Sequence, residues 1–180
     1  LAALDAAVPV PAPGTTAATP SLLPLLRSVG TMLLLALAGG LLFASRDALA
    51  AEALLPVLRV LAIAAPLAVV TEFVVWTTYV AGAFDASASL QLVTGQALFA
   101  RIGFAVLAAA ALLAFRSVRG AAFLAFMAVL AGGSLGHATT VVPAASIPLR
   151  AVHMAAAAVW FGGLIALGLG LGKAPARRSL

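Results

Sequence analysis

The chain has 180 residues, 64% of them hydrophobic and only 8% charged, with a mean hydropathy of +1.21. A soluble domain carries roughly 25% charged residues, so a water-exposed fold is excluded and the composition is that of an integral membrane protein. The formal net charge of +5 rests on ten Lys and Arg against five Asp and Glu, but the bases stand singly between apolar runs. That scatter forms no basic patch, so nucleic acid is excluded as a partner and the positive excess reads as topology.

Residues 1–20 include the run VPVPAPGTTAATP, with no apolar period. Such composition favours extended conformers and reads as a Pro/Ala-rich extracytoplasmic linker or tail. Five apolar segments follow, at about 25–44, 54–80, 90–115, 120–137 and 147–172. About 20 helical residues cross a hydrocarbon core of roughly 30 Å, so each segment is a candidate crossing. Runs such as MLLLALAGGLLFA and FAVLAAAALLAF do not alternate, which argues against a transmembrane β-barrel. The expected fold is therefore all-α, a polytopic bundle over residues 21–173 followed by a basic cytoplasmic tail, 174–180. Pro56 and Pro148 suit the first turns of their helices, and Pro66 predicts a kink. The first residue is Leu and no signal peptide is visible, as expected of a fragment or a trimmed product.

Orientation follows from the loop bases. Arg46, then Arg116 and Arg119, then Lys173, Arg177 and Arg178 fall on one side of every hairpin, while the N-terminal tail and the 81–89 loop carry none. The expectation is an outer N-terminus, an inner C-terminus and five crossings, with the partner of the chain being the lipid bilayer.

This topology assigns a depth to each polar residue. His137 ends the fourth segment at the outer surface, and His153 lies roughly 8 Å inside the fifth at 1.5 Å per residue. Neighbouring helices would give both imidazoles one outer-leaflet pocket. Met127, Ser134 and His137 share one helical face, His153 and Trp160 share another, and Glu72, Trp76 and Tyr79 a third. Glu72 and Arg101 each fall roughly 12 Å below the outer surface, where an unpaired charge is costly. They are expected to face the interior as an ion pair or a shared polar network. Trp160 falls near mid-membrane and is expected to pack over Gly162 and Gly163, whose small size permits close helix approach. Trp76 and Tyr79 suit the outer aromatic belt, and Arg59 is expected to snorkel to the inner surface.

Imidazole binds copper, zinc, iron or nickel, and thioether sulfur adds a preference for Cu(I). His137 and His153, with Met154 or Met127, therefore make a candidate copper site open to the outside. Haem held between two histidines is the alternative cofactor, disfavoured because helices in direct contact leave little room for a porphyrin. Nucleophile, base and acid do not occur together, so an enzyme is not expected. Without cysteine, disulfides, thiol redox chemistry, Cys-ligated zinc and iron–sulfur clusters are excluded.

The residues GHA at 136–138, followed by VHMAAAAVWFGGLIAL at 152–167, resemble the signature of the bacterial copper resistance D family. His137, His153, Trp160, Gly162 and Gly163 match it residue by residue. The stretch LVTGQALFARIGFAVLAAAALLAF, with Arg101, resembles a further helix of that family. The resemblance covers roughly residues 50 to 172. It implies a multi-pass protein of the bacterial inner membrane that takes part in copper transport and homeostasis, working beside or fused to a periplasmic copper-binding C-type domain. Family members usually continue with about three more helices, so the chain looks like the N-terminal portion. The competing expectations are a haem-binding electron-transfer bundle and a structural or assembly subunit.

Overall fold

The computed structural model describes residues 22–134 and 143–173. Among these the chain is helical, with no strand: α1 (Leu22–Ala44), α2 (Ala48–Ala81), the short α3 (Ala86–Ser89), α4 (Val93–Leu113), α5 (Val118–Ala131), a 3-10 turn (Gly132–Ser134) and α6 (Pro143–Lys173). Helices α1, α2, α4 and α6 are long and apolar enough to cross a membrane, whereas α5 is apolar but has only 14 residues. The protein is an all-α membrane helix bundle.

The helix ends follow from local chemistry. Helix α2 starts at Ala48 because the Asp47 carboxylate accepts the Leu49 N–H at 2.8 Å, an N-cap that satisfies one of the free donors of the first turn. It therefore begins six residues before the expected boundary at 54, and Pro56 lies inside it, not in its first turn. The helix runs on through Pro66 to Ala81, where Gly82 at φ 72° supplies the left-handed C-terminal residue. Pro148 is likewise inside α6, which starts at Pro143. Between α4 and α5, Arg116 adopts φ 54°, and the Ser117 N–H closes back on the Ala111 carbonyl at 2.8 Å, satisfying one of the free carbonyls of the last turn. The Ser117 hydroxyl then caps α5 through the Gly120 N–H at 3.2 Å.

Helix α1 stands at the centre, packed by α2, α5 and α6, while α4 lies against α2 and α5. Its Leu34, Leu37 and Leu41 are fully buried. Around it the interior is lined by small residues, among them Ala62, Ala65, Ala105, Ala121, Ala125 and Ala158. Between helices in lipid, association rests on close van der Waals packing and not on water exclusion, so small contact residues are favoured. Helices α1 and α6 touch backbone to backbone, where a Cβ on Gly39 would fall on the Ala158 carbonyl and a Cβ on Gly162 on the Gly39 backbone. Large apolar side chains such as Leu67, Phe99, Leu107, Phe123 and Trp160 point outward, as a lipid-facing surface requires.

A buried charge cluster and the two-histidine stretch

Glu72 is on the interior face of α2 and is completely buried. Its Oε2 accepts from Arg101 Nη1 of α4 at 3.0 Å, and its Oε1 accepts from Arg27 Nε of α1 at 2.9 Å. Arg101 Nη2 donates to the Thr31 hydroxyl at 2.7 Å. Arg27 and Thr31 are four residues apart on α1 and so share a face. One carboxylate thus ties three helices together. Gly30 is buried beside Glu72, where a Cβ would stand at ordinary contact distance, 3.8 Å from Oε2.

The electrostatics are lopsided. Arg101 is 2% exposed, whereas the Arg27 side chain is 33% exposed. Moving one ion into a low-dielectric interior costs several kcal/mol, offset only by close pairing with good geometry. Glu72 and Arg101 offset one another, and Arg27 brings a second positive charge to the same carboxylate. The cluster therefore carries two cations for one anion. Arg101 Nε is buried with no hydrogen-bond partner among the described residues, and it is the nearest atom, at 3.7 Å, to the position a Cβ on Gly132 would take.

The Glu72–Arg101 contact is the one expected from sequence. Arg27 and Thr31 were not anticipated as its partners. Their signal is faint but present: an arginine and a threonine spaced four apart in a mostly apolar first helix, at a depth matching Glu72 on the neighbouring antiparallel helix.

Trp76 is 7% exposed and stacks on Phe73 at a centroid distance of 6.3 Å, against its expected place in an outer aromatic belt. It is covered where Gly95 of α4 closes on the Ser89 backbone, and a Cβ on Gly95 would meet the Trp76 ring at 3.2 Å. Tyr79 is half-exposed at the end of α2. Arg59 is exposed on α2.

On α6, His153 and Trp160 share a face as expected, and that face turns away from α1; both side chains are exposed, Trp160 at 69%. Trp160 therefore does not pack over the glycine pair. Gly162 meets Gly39, and Gly163 lies 3.2 Å from Phe43 by its Cβ position. Met154 is half-buried against the core, so it and His153 point in different directions, as adjacent helical residues must. Met127 is half-buried on α5. The expected α-helical face joining Met127, Ser134 and His137 is interrupted, because the helix tightens to a 3-10 turn at Gly132, where two glycines weaken the α-helix. His137 lies outside the described residues. A Cβ placed on Gly133 would stand 3.6 Å from Ala151, so the chain four residues before His137 is held beside the α6 turn that precedes His153. Among the described residues no three His, Asp or Glu side chains gather in a metal-binding group. No family model, curated protein or solved structure matches the chain.

Proposed function

We propose that this chain is a copper-handling domain of the bacterial inner membrane, receiving copper on its outer side at His137 and His153 for transport or homeostasis. The observation that carries this reading is the sequence pair GHA at 136–138 and VHMAAAAVWFGGLIAL at 152–167, which resembles the copper resistance D signature. Packing of the 3-10 turn at Gly132–Ser134 against α6 supports it by bringing the end of the described chain nearest His137 beside the helix that carries His153. Imidazole nitrogen at the outer surface is a donor suited to copper. A periplasmic copper-binding protein or domain of C type would be the donor of the ion.

Because His153 and Met154 diverge around α6, the reading rests on the two histidines and gives the methionines at most an auxiliary part. His137→Ala and His153→Ala are each expected to weaken copper binding by the purified protein and to lower copper accumulation by cells. Unchanged affinity and accumulation in both variants would reject the proposal. A Soret band from the purified protein would replace copper with haem.

A further inference from the structure

Arg27 is the open side of the Glu72 cluster. Its Nε donates to Glu72 Oε1 at 2.9 Å, and the second carboxylate oxygen is taken by Arg101 Nη1. Glu72 is fully buried, whereas the Arg27 side chain is 33% exposed. The carboxylate thus holds one edge of the Arg27 guanidinium, and both of its oxygens are already engaged. The two terminal nitrogens of Arg27 have no acceptor among the described residues. A guanidinium does not lose its proton in proteins, so these N–H groups stay charged and open to an acceptor that the cluster does not supply.

We propose that Arg27 binds the phosphate of an anionic phospholipid, with phosphatidylglycerol as the representative lipid. Charge sets the class. Two guanidinium groups meet one carboxylate, and a phosphodiester carries the single negative charge that balances them. A zwitterionic headgroup brings its own cation and leaves the excess in place. Shape agrees, because the guanidinium fork matches the spacing of phosphate oxygens. The place selects a lipid over a dissolved ion. Arg27 lies about 8 Å along α1 from Leu22, and side chains lean toward the N-terminal end of their helix, here toward the membrane surface where phosphates lie. The same turns of α1 expose Leu25, Val29 and Met32, an apolar surface suited to acyl chains. Basic sites between membrane helices hold anionic headgroups in this way. The proposal goes beyond copper handling and does not depend on it.

The test compares thermal midpoints of the full chain in micelles of one detergent, titrated with phosphatidylglycerol or with phosphatidylcholine. A ligand that binds the folded state alone raises the midpoint in a saturable way. The expected result is a saturable rise specific to phosphatidylglycerol in the wild-type protein, retained in Arg59→Gln and lost in Arg27→Gln, each variant read against its own midpoint in phosphatidylcholine. Arg27→Lys keeps a charge beside Glu72 but not the fork. Its half-saturating lipid concentration should rise about tenfold, as the loss of one charge-assisted hydrogen bond implies. Inorganic phosphate added to the phosphatidylcholine micelles at equal ionic strength should give no rise. Equal midpoints in the two lipids, or a rise that survives in Arg27→Gln, would overturn the proposal. A rise lost equally in Arg59→Gln would reduce it to general surface charge, and an equal rise with inorganic phosphate would replace the lipid with a soluble anion; either result rejects it.

Discussion

At the level of single residues, Glu72 is the position on which most depends. It is fully buried and is the only acid in contact with Arg27 and Arg101 among the described residues. Breaking a buried ion pair from one side costs about 3–5 kcal/mol, because the partner charge is left uncompensated. Glu72→Gln leaves two such charges and should be the most destabilising change in the cluster. Arg101→Gln should come next, since Glu72 keeps Arg27, and Arg27→Gln should be mildest because that side chain already reaches solvent. Unfolding titrations in mixed micelles would rank them, with Glu72→Gln/Arg101→Gln recovering part of the summed loss. Additive effects in that cycle would mean that the two side chains do not interact. The pair was legible in the sequence because depth can be counted along a helix and lone charges at equal depth must meet. Arg27 was not, since a base near a helix end is equally at home snorkelling into headgroups, and only the helix rotation decides between the two.

At the level of elements, two backbone positions make opposite predictions. Gly162 meets Gly39 with no room for a Cβ, while Gly103 of α4 has nothing within 4 Å. Gly162→Ala must push α6 off α1 and should destabilise by about 1–3 kcal/mol or more, as overpacking does. Gly103→Ala should instead gain up to about 1 kcal/mol through backbone entropy. If both variants unfold alike, the α1–α6 crossing is not where the structure puts it. Arg116 occupies a left-handed position that Gly ordinarily fills, which disfavours a side-chain-bearing residue by about 1–2 kcal/mol. Arg116→Gly is therefore expected to raise stability, and no gain would mean that the turn relaxes to another backbone. An arginine here would also count among the loop bases that the positive-inside rule holds in the cytoplasm. The turn before α4 makes a pH prediction. The Ala88 N–H and then the Ser87 hydroxyl hold the Asp85 carboxyl below its usual range. Its capping contribution is thus present above the ordinary carboxylate pKa of about 3.9, and is lost as pH falls through the lowered folded value. Protection of the Ala88 amide from exchange, relative to its intrinsic rate at each pH, should fall only at acid pH, and protection unchanged by protonation of Asp85 would remove the cap from the account. The glycine crossing was half legible: Gly162 and Gly163 read as contact residues, but Trp160 was assigned to their cover when Gly39 and Phe43 of α1 take that role. A period of 3.6 gives two residues a common face without saying whether that face looks inward.

At the level of the whole molecule, the bundle has two unlike ends. The turns at 45–47 and 114–117 carry Arg46 and Arg116, with Arg119 just beyond, whereas the 82–92 connection carries Asp85 and no base. The five apolar segments were legible because hydrocarbon demands unbroken apolar helix and allows little else. Their ends were less so, because Asp47, Gly82 and Arg116 act through backbone hydrogen bonds and left-handed turns that hydropathy does not register. Which end faces the cytoplasm is then a question of charge. The basic end should remain inside, since short loops bearing Lys and Arg resist translocation, and that would put the 82–92 connection and the open side of the Glu72 cluster outside. The chain has no cysteine, so single cysteines can report on this directly. Ser87 and Ser117 are both exposed, at opposite ends of α4. In intact spheroplasts a membrane-impermeant maleimide should label Ser87→Cys and spare Ser117→Cys, and permeabilisation should make both reactive. The reverse pattern would invert the orientation and carry the proposed copper entry to the inner face. Labelling of both in intact cells would mean that α4 does not cross at all, and the buried Arg101 would then need another explanation than a membrane interior.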